Sequence, residues 1–383
     1  MSADATHTLQ FPVAEYELRQ QKVLAAMADA GVDALLITAH GHLQYLSGYD
    51  GRGGYFGPFP LILVPGRKPV FVVREFEVGA VRTESCVADF ATYGELREFG
   101  PVCADVLRQL KVHDQRVGFE LGCWGIAPAD VNAVQDQLPG MKVVDATSLI
   151  SAVIATKTEL ELSVMRDAMA VTDLAIQTFN SSLREGVSEL EVYNTIIAAV
   201  ENAGGELFGG VPTLVFGERT KLAHGEPSNN RLNNDEPAFM ELGGMKYRYA
   251  AGIVRGAVLG RHAEAEALHE VSVEALRAAV AVIKPGATAG EIDAAARKVV
   301  EQSRFPRSLR HRAGYHTGLN WLERGNISLE PGAQDVIHAG MTLHMPLILE
   351  SDNGYLFGAS EHVVVTETGA ESLSATRPEL YRA

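Results

Sequence analysis

The sequence predicts two domains: an α/β domain over residues 1–155 and an α+β domain over residues 156–383 with an internal pseudo-two-fold duplication. Three observations predict this. Helix-like and strand-like segments alternate in the first part of the chain, which suggests a sheet covered by helices. A long amphipathic pattern ends that alternation near residue 156. Beyond it, a glycine followed by an S/T-x-x-E segment occurs twice, one hundred residues apart. A chain of 383 residues, 46% of them hydrophobic, is long enough to fill two cores.

The elements follow in order. "EYELRQQKVLAAMADAGVDALLIT" reads as an amphipathic helix, a glycine stop at Gly31 and an apolar strand. "PFPLILVPGRKPVFVV" reads as a strand, a Pro-Gly turn and a second strand. "QRVGFELGCW" and "MKVVDAT" are further short strands. "TKTELELSVMRDAMAVTDLAIQTFN" opens the second domain as a long helix, with Met165, Met169, Thr172, Ile176 and Phe179 on one stripe. The repeat then begins. Gly186, Ser188 and Glu191 match Gly286, Thr288 and Glu291. Each set is a capping box that satisfies two free N–H groups at a helix start. Two ordinary capped helices would look the same singly; the pair at a fixed interval favours a duplicated half-domain. After each helix pair comes β-rich sequence, which places a cleft between two facing sheets.

Composition excludes several functions. The formal net charge is −15, so no footprint for nucleic acid or an anionic membrane is present. Cys86, Cys103 and Cys123 are widely spaced and lack a CxxC pattern, which excludes a disulfide framework. The first twenty residues have neither a basic nor an apolar region of a secretory signal, and no apolar run has membrane-spanning length. A cytoplasmic enzyme acting on a small molecule is the expectation.

Five segments carry a resemblance: "HGEPSNN" from His224, "FMELGGMKYRYAAGIVRG" from Phe239, "GYHTGLNW" from Gly314, "GMTLHMP" from Gly340 and "SEHVVVTETG" from Ser360. In that order they resemble the pita-bread enzymes, which include methionine and Xaa-Pro aminopeptidases, prolidase, creatinase and ectoine hydrolase. "YLSGYDG" from Tyr45 resembles the creatinase and ectoine hydrolase branch. The resemblance implies a pita-bread catalytic domain and a homodimer with the N-terminal domain near the partner's active site. It also implies positions for two metal ions held by two Asp, one His and two Glu. Those positions fall on Glu241, Gly252, His316, Met345 (or Pro346 after a one-residue slip) and Glu361. A glycine has no ligand atom and a thioether suits a hard ion poorly. Glu330 in "LEPG" mimics the family's Glu-Pro-Gly motif but precedes "HAGM", so it reads as a turn residue.

The resemblance therefore implies metal-free chemistry, with no cofactor and with His224, Glu241, His316 and Glu361 as catalytic candidates. Glu241 would serve as base or nucleophile and His224 as acid/base. Should one ion bind, Glu241, His316 and Glu361 are the remaining donors. Tyr249, Arg255, His344, Arg52, Tyr55 and Arg74 are candidates for binding substrate, with Phe56 and Glu75 beside them; His362 is a further neighbour. The implied reaction is hydrolysis of a non-peptide C–N bond in a small amidine or amide, as in ectoine hydrolase or creatinase. The alternatives are a metal-dependent Xaa-Pro peptidase, a single-metal lyase, and a binding module that has lost catalysis.

Overall fold

The computed structural model describes residues 8–51, 56–208, 212–321 and 327–383. The chain divides into two compact units, with the break between Ile154 and Ala155. The first unit runs α1 (Val13–Ala30), β1 (Ala34–Ile37), α2 (His40–Ser47), β2 (Leu61–Leu63) and β3 (Val70–Arg74). It continues with α3 (Val78–Glu84), β4 (Asp89–Tyr93), α4 (Phe99–Gln109), β5 (Arg116–Phe119), α5 (Pro128–Gln135), β6 (Lys142–Asp145) and α6 (Thr147–Ala155). The six strands form one mixed sheet in the order β4-β3-β2-β1-β5-β6. Gly31 ends α1 with φ 63°, a left-handed conformation that glycine adopts at little cost.

The second unit is built twice. Its first half contains α7 (Glu159–Ser182), α8 (Glu189–Asn202), β7 (Glu206–Leu207), β8 (Thr213–Phe216), β9 (Glu236–Lys246) and β10 (Tyr249–Leu259). Its second half contains α9 (Ala263–Val282), α10 (Ala289–Gln302), β11 (Gly314–His316), β12 (Ser328–Leu329), β13 (Thr342–Glu350), β14 (Leu356–Val365) and β15 (Ala370–Ser372). A last strand, β16 (Tyr381–Arg382), returns to the edge of β10. Both capping boxes form: Ser188 and Glu191 close on each other at α8, and Thr288 and Glu291 at α10. The backbone bonds around them repeat as well. Gly186 N–H donates to Leu232 and Gly286 N–H to Ile337; Glu189 N–H donates to Asn230 and Ala289 N–H to Asp335. This matched hydrogen bonding, beyond the sequence echo, identifies a duplicated unit.

Helix α7 lies on the β9–β10 hairpin. Its predicted stripe of Met165, Met169, Thr172, Ile176 and Phe179 is buried. Thr172 Oγ1 accepts from Gly244 N–H and donates to the Ala251 carbonyl, tying the helix to both strands. The hairpin turns through Tyr247 and Arg248, both with positive φ, the two-residue turn that matches strand twist. Its register sets Glu241 opposite Val254 and Gly243 opposite Gly252. Among the described residues, no helix is long and apolar enough to cross a membrane.

Gly244 marks the closest approach of α7. A Cβ there would lie 2.3 Å from the Ala168 carbonyl oxygen. Gly244→Ala is therefore expected to lower unfolding free energy by roughly 1–3 kcal/mol through overpacking, measured by urea denaturation.

Candidate functional site

Residues of the second unit enclose two neighbouring cavities, of about 590 and 380 Å³. Thr213, His224, Glu241 and Tyr315 line both, so these side chains form the wall between them. Glu241 sits at the centre of that wall because β9 pairs with β8 on one side, Thr213 opposite Glu241, and with β10 on the other. Burial pushes its carboxyl above the usual range, and the His224 charge partly opposes this.

His224 reaches the wall from a turn. It has φ 57°, an uncommon conformation for a residue with a Cβ, and it is exposed. The loop that carries it is anchored by Glu189, which is fully buried. That carboxylate accepts from the N–H groups of Phe216 and Ser228, the Ser228 hydroxyl, the Asn230 amide and Arg219. The composition of "HGEPSNN" thus has a local cause: Ser228 and Asn230 are there to bind Glu189. Glu189 itself was not singled out by sequence, because within a capped helix it reads as an ordinary first-turn acid.

Tyr315 is the other residue that the motif reading missed. Strand alternation separates it from His316. Tyr315 pairs with His344 and faces the cavities, whereas His316 pairs with core Leu343 and accepts the Ile327 N–H through Nδ1. The expected role of His316 in the site is corrected accordingly. The same alternation corrects two more positions. Met345 is packed in the core, and Pro346 lines the smaller cavity in its place. Glu361 pairs with Met345 and so points away from the cavities, where it accepts from Ser372 and feels the charge of Arg255.

The remaining candidates sort by their bonds. Tyr249 is buried and donates to Glu161. Arg255 is buried and clamps backbone, donating to the carbonyls of Val254, Ser360 and Thr376. His344 stands behind the wall: Nδ1 meets the Tyr315 hydroxyl at 3.2 Å and Nε2 meets Ser360 Oγ at 2.9 Å. Burial, then the neighbouring His362 and Arg255, holds its pKa well below the ordinary histidine value. His362, held to about 3 by burial, bonds Thr317 and the Gly252 carbonyl. Arg74 lies in the first unit with its guanidinium 5.9 Å from the centroid of the Phe56 ring, and Glu75 follows it in a short 3-10 turn. Arg52 and Tyr55 lie outside the described residues. Glu330 sits at an exposed turn and accepts from Ser328.

The space at Gly252, where the resemblance puts the second metal ligand, is filled by Trp321. A Cβ at Gly252 would lie 1.8 Å from its indole, and one at Gly243 would lie 2.3 Å away. The loop before Trp321 is zipped to the start of β10 by Ala250 N–H to Gly318 and Asn320 N–H to Arg248. The indole N–H donates to Tyr315 Oη at 3.2 Å. Among the described residues, no group of three or more His, Cys, Asp or Glu is placed to hold a metal ion. Glu241, His316 and Glu361 are therefore not a ligand set, and the residues present do not fit the family's metal pair.

This seat generates a prediction. Gly252→Asp restores the family's ligand type but collides with the indole. It is expected to lower stability by roughly 1–3 kcal/mol, read as a drop in Tm, with no gain of bound metal by elemental analysis.

The comparisons with known proteins agree on the family. The model of metallopeptidase family M24 matches residues 163–367, and that of the creatinase/prolidase N-terminal domain matches residues 19–153. An uncharacterised hydrolase/peptidase of Sinorhizobium fredii is 28% identical, covering 97% of both chains. Ectoine hydrolase of Halomonas elongata is 27% identical, covering 98% of both. Among solved structures, dipeptidase PepE from Mycobacterium ulcerans superposes with a TM-score of 0.86 at 22% identity, over 97% of this chain and all of that one. With the duplicated second unit this establishes the pita-bread fold, and the chain belongs to metallopeptidase family M24, a family of hydrolases.

Proposed function

We propose that the protein is a metal-independent hydrolase of a non-peptide C–N bond in a small polar amidine or amide. The observation that carries this reading is the half-buried Glu241 carboxylate lining the same two cavities as His224, with Trp321 filling the position where the resemblance puts the second metal ligand. Family likeness supports it: ectoine hydrolase of Halomonas elongata matches over nearly the full length.

The chemistry follows from the two groups. Glu241 draws a proton from water as its oxygen attacks the amidine or amide carbon. His224 delivers a proton to the departing nitrogen as the C–N bond breaks. The proton gained by Glu241 is then returned to His224 through solvent at the cavity mouth, where His224 is exposed, which restores both groups for the next turnover. Stripping hydration from the carboxylate raises its pKa and so strengthens it as a base, at the expense of a smaller ionised fraction at a given pH.

Purified protein is assayed on ectoine, creatine and Xaa-Pro dipeptides with and without chelator, alongside elemental analysis. Turnover of an amidine or non-peptide amide that survives the chelator is expected. Activity abolished by chelator, or confined to dipeptides, overturns the reading. Glu241→Gln is expected to reduce kcat by about 10²–10⁴-fold. Because the base works ionised, the acid limb of kcat/KM against pH lies above the ordinary carboxylate range. A limb at that ordinary value counts against Glu241.

The same raised pKa has a consequence for stability. The folded state holds the Glu241 proton more tightly than the unfolded chain does, so folding is favoured below the unfolded value. Stability is lost as pH rises through the folded value. Glu241→Gln is thus expected to raise Tm at pH 8 relative to wild type, and the advantage should vanish in acid.

A further inference from the structure

The two cavities on either side of Glu241 differ in charge. Among the described residues, the larger is lined by three carboxylates, Glu201, Glu206 and Glu241, and by no lysine or arginine. Phe208 and Trp321, with ring centroids 5.6 Å apart, give it an aromatic wall. An aromatic face beside carboxylates attracts a planar cation through its quadrupole and the surrounding negative field.

The smaller cavity has the opposite character. Its walls are mostly apolar, including Leu222, Phe239, Pro346 and Ile348, and its cation is Arg312. Beside it, both ring nitrogens of His311 already meet backbone carbonyls, at 2.7 Å to Arg312 and 3.0 Å to Ile348, so that ring has no nitrogen left for a ligand. Among the described residues Arg312 pairs with no carboxylate. It donates once to Ser328 Oγ at 3.1 Å and stacks at 4.5 Å on the Tyr315 ring. Stacking holds the guanidinium plane while its other donors stay available, which suits a bidentate carboxylate.

Tyr315 sets the spacing between these features. Its ring carries Arg312 and its hydroxyl accepts from Trp321. The indole and the guanidinium therefore stand about one tyrosine side chain apart, with Glu241 between the two cavities.

We propose that the substrates are dipolar, with a planar cationic group on the Phe208–Trp321 wall and a carboxylate on Arg312, so that the C–N bond between them is presented to Glu241. The proposal rests on the reading of Glu241 and His224 as the reacting pair, and it names the substrate class and Arg312 as the residue that sets it.

Equilibrium binding tests this without turnover. The chain has two tryptophans, so Trp124→Phe leaves Trp321 as the sole tryptophan, excited selectively over the tyrosines. In that background, emission is titrated with 4-guanidinobutyrate, with butylguanidinium, which lacks the carboxylate, and with butyrate, which lacks the cation. A saturable change with 4-guanidinobutyrate is expected, with butylguanidinium and butyrate each at least about tenfold weaker. Arg312→Gln is expected to bring 4-guanidinobutyrate down to the affinity of butylguanidinium while leaving butylguanidinium unchanged. Arg312→Lys should retain part of the preference. Equal affinities for the three probes, no emission change, or undiminished binding in Arg312→Gln overturns the proposal. Loss of affinity for 4-guanidinobutyrate and butylguanidinium alike in Arg312→Gln overturns the assigned role of Arg312. A failure of the catalytic reading appears instead as normal turnover by Glu241→Gln, which these binding measurements do not affect.

Discussion

The seat of Trp321 on Gly243 and Gly252 is the contact on which the site depends. Two glycines opposite each other on an antiparallel hairpin leave a bare patch one residue pair wide. The indole fills that patch closely enough that no side chain could replace either hydrogen. Three consequences follow. The position of a metal ligand is closed. The Tyr315 hydroxyl is held by the indole N–H and by His344. The wall around Glu241 becomes aromatic. The indole packs on the hairpin face while the ladder between the two strands stays intact.

Behind this seat lies an electrostatic division of labour. Glu189 is a buried carboxylate and Glu241 a half-buried one, and their surroundings treat them differently. Glu189 is saturated by backbone N–H groups, a hydroxyl, an amide and Arg219, and it serves as the anchor of the His224 loop. Glu241 has burial against it and only the His224 charge in its favour. A carboxylate whose oxygens are all taken up by donors serves as an anchor, while a poorly solvated one near a histidine can exchange a proton. His344 and His362, buried and neutral, add no compensating charge behind the wall.

Much of this was legible in the sequence, for identifiable reasons. The capping boxes at Ser188 and Thr288, the α7 stripe and the strands of the first unit depend on local periodicity and short-range bonds. His224 and Glu241, which line both cavities, lie in segments that motif order singles out. His316, Met345 and Glu361 were misread by position. A motif fixes a segment, but which of two adjacent strand residues faces a cavity is decided by register, and a shift of one residue reverses the face. Tyr315 and Pro346 gained their places by that reversal.

The sequence by itself determined the elements, the duplication and the loss of ligand atoms at Gly252. These follow from residue type and spacing, which need no distant partner. Only the tertiary structure decided that Trp321 fills the lost ligand's space, that Tyr315 stands between Trp321 and Arg312, and that Glu189 holds the His224 loop. The seat of Trp321 and the Glu189 anchor join residues far apart in the chain, and all three arrangements depend on how closely two surfaces approach. Local propensity carries no information about that distance, whereas close packing fixes it to a fraction of an ångström.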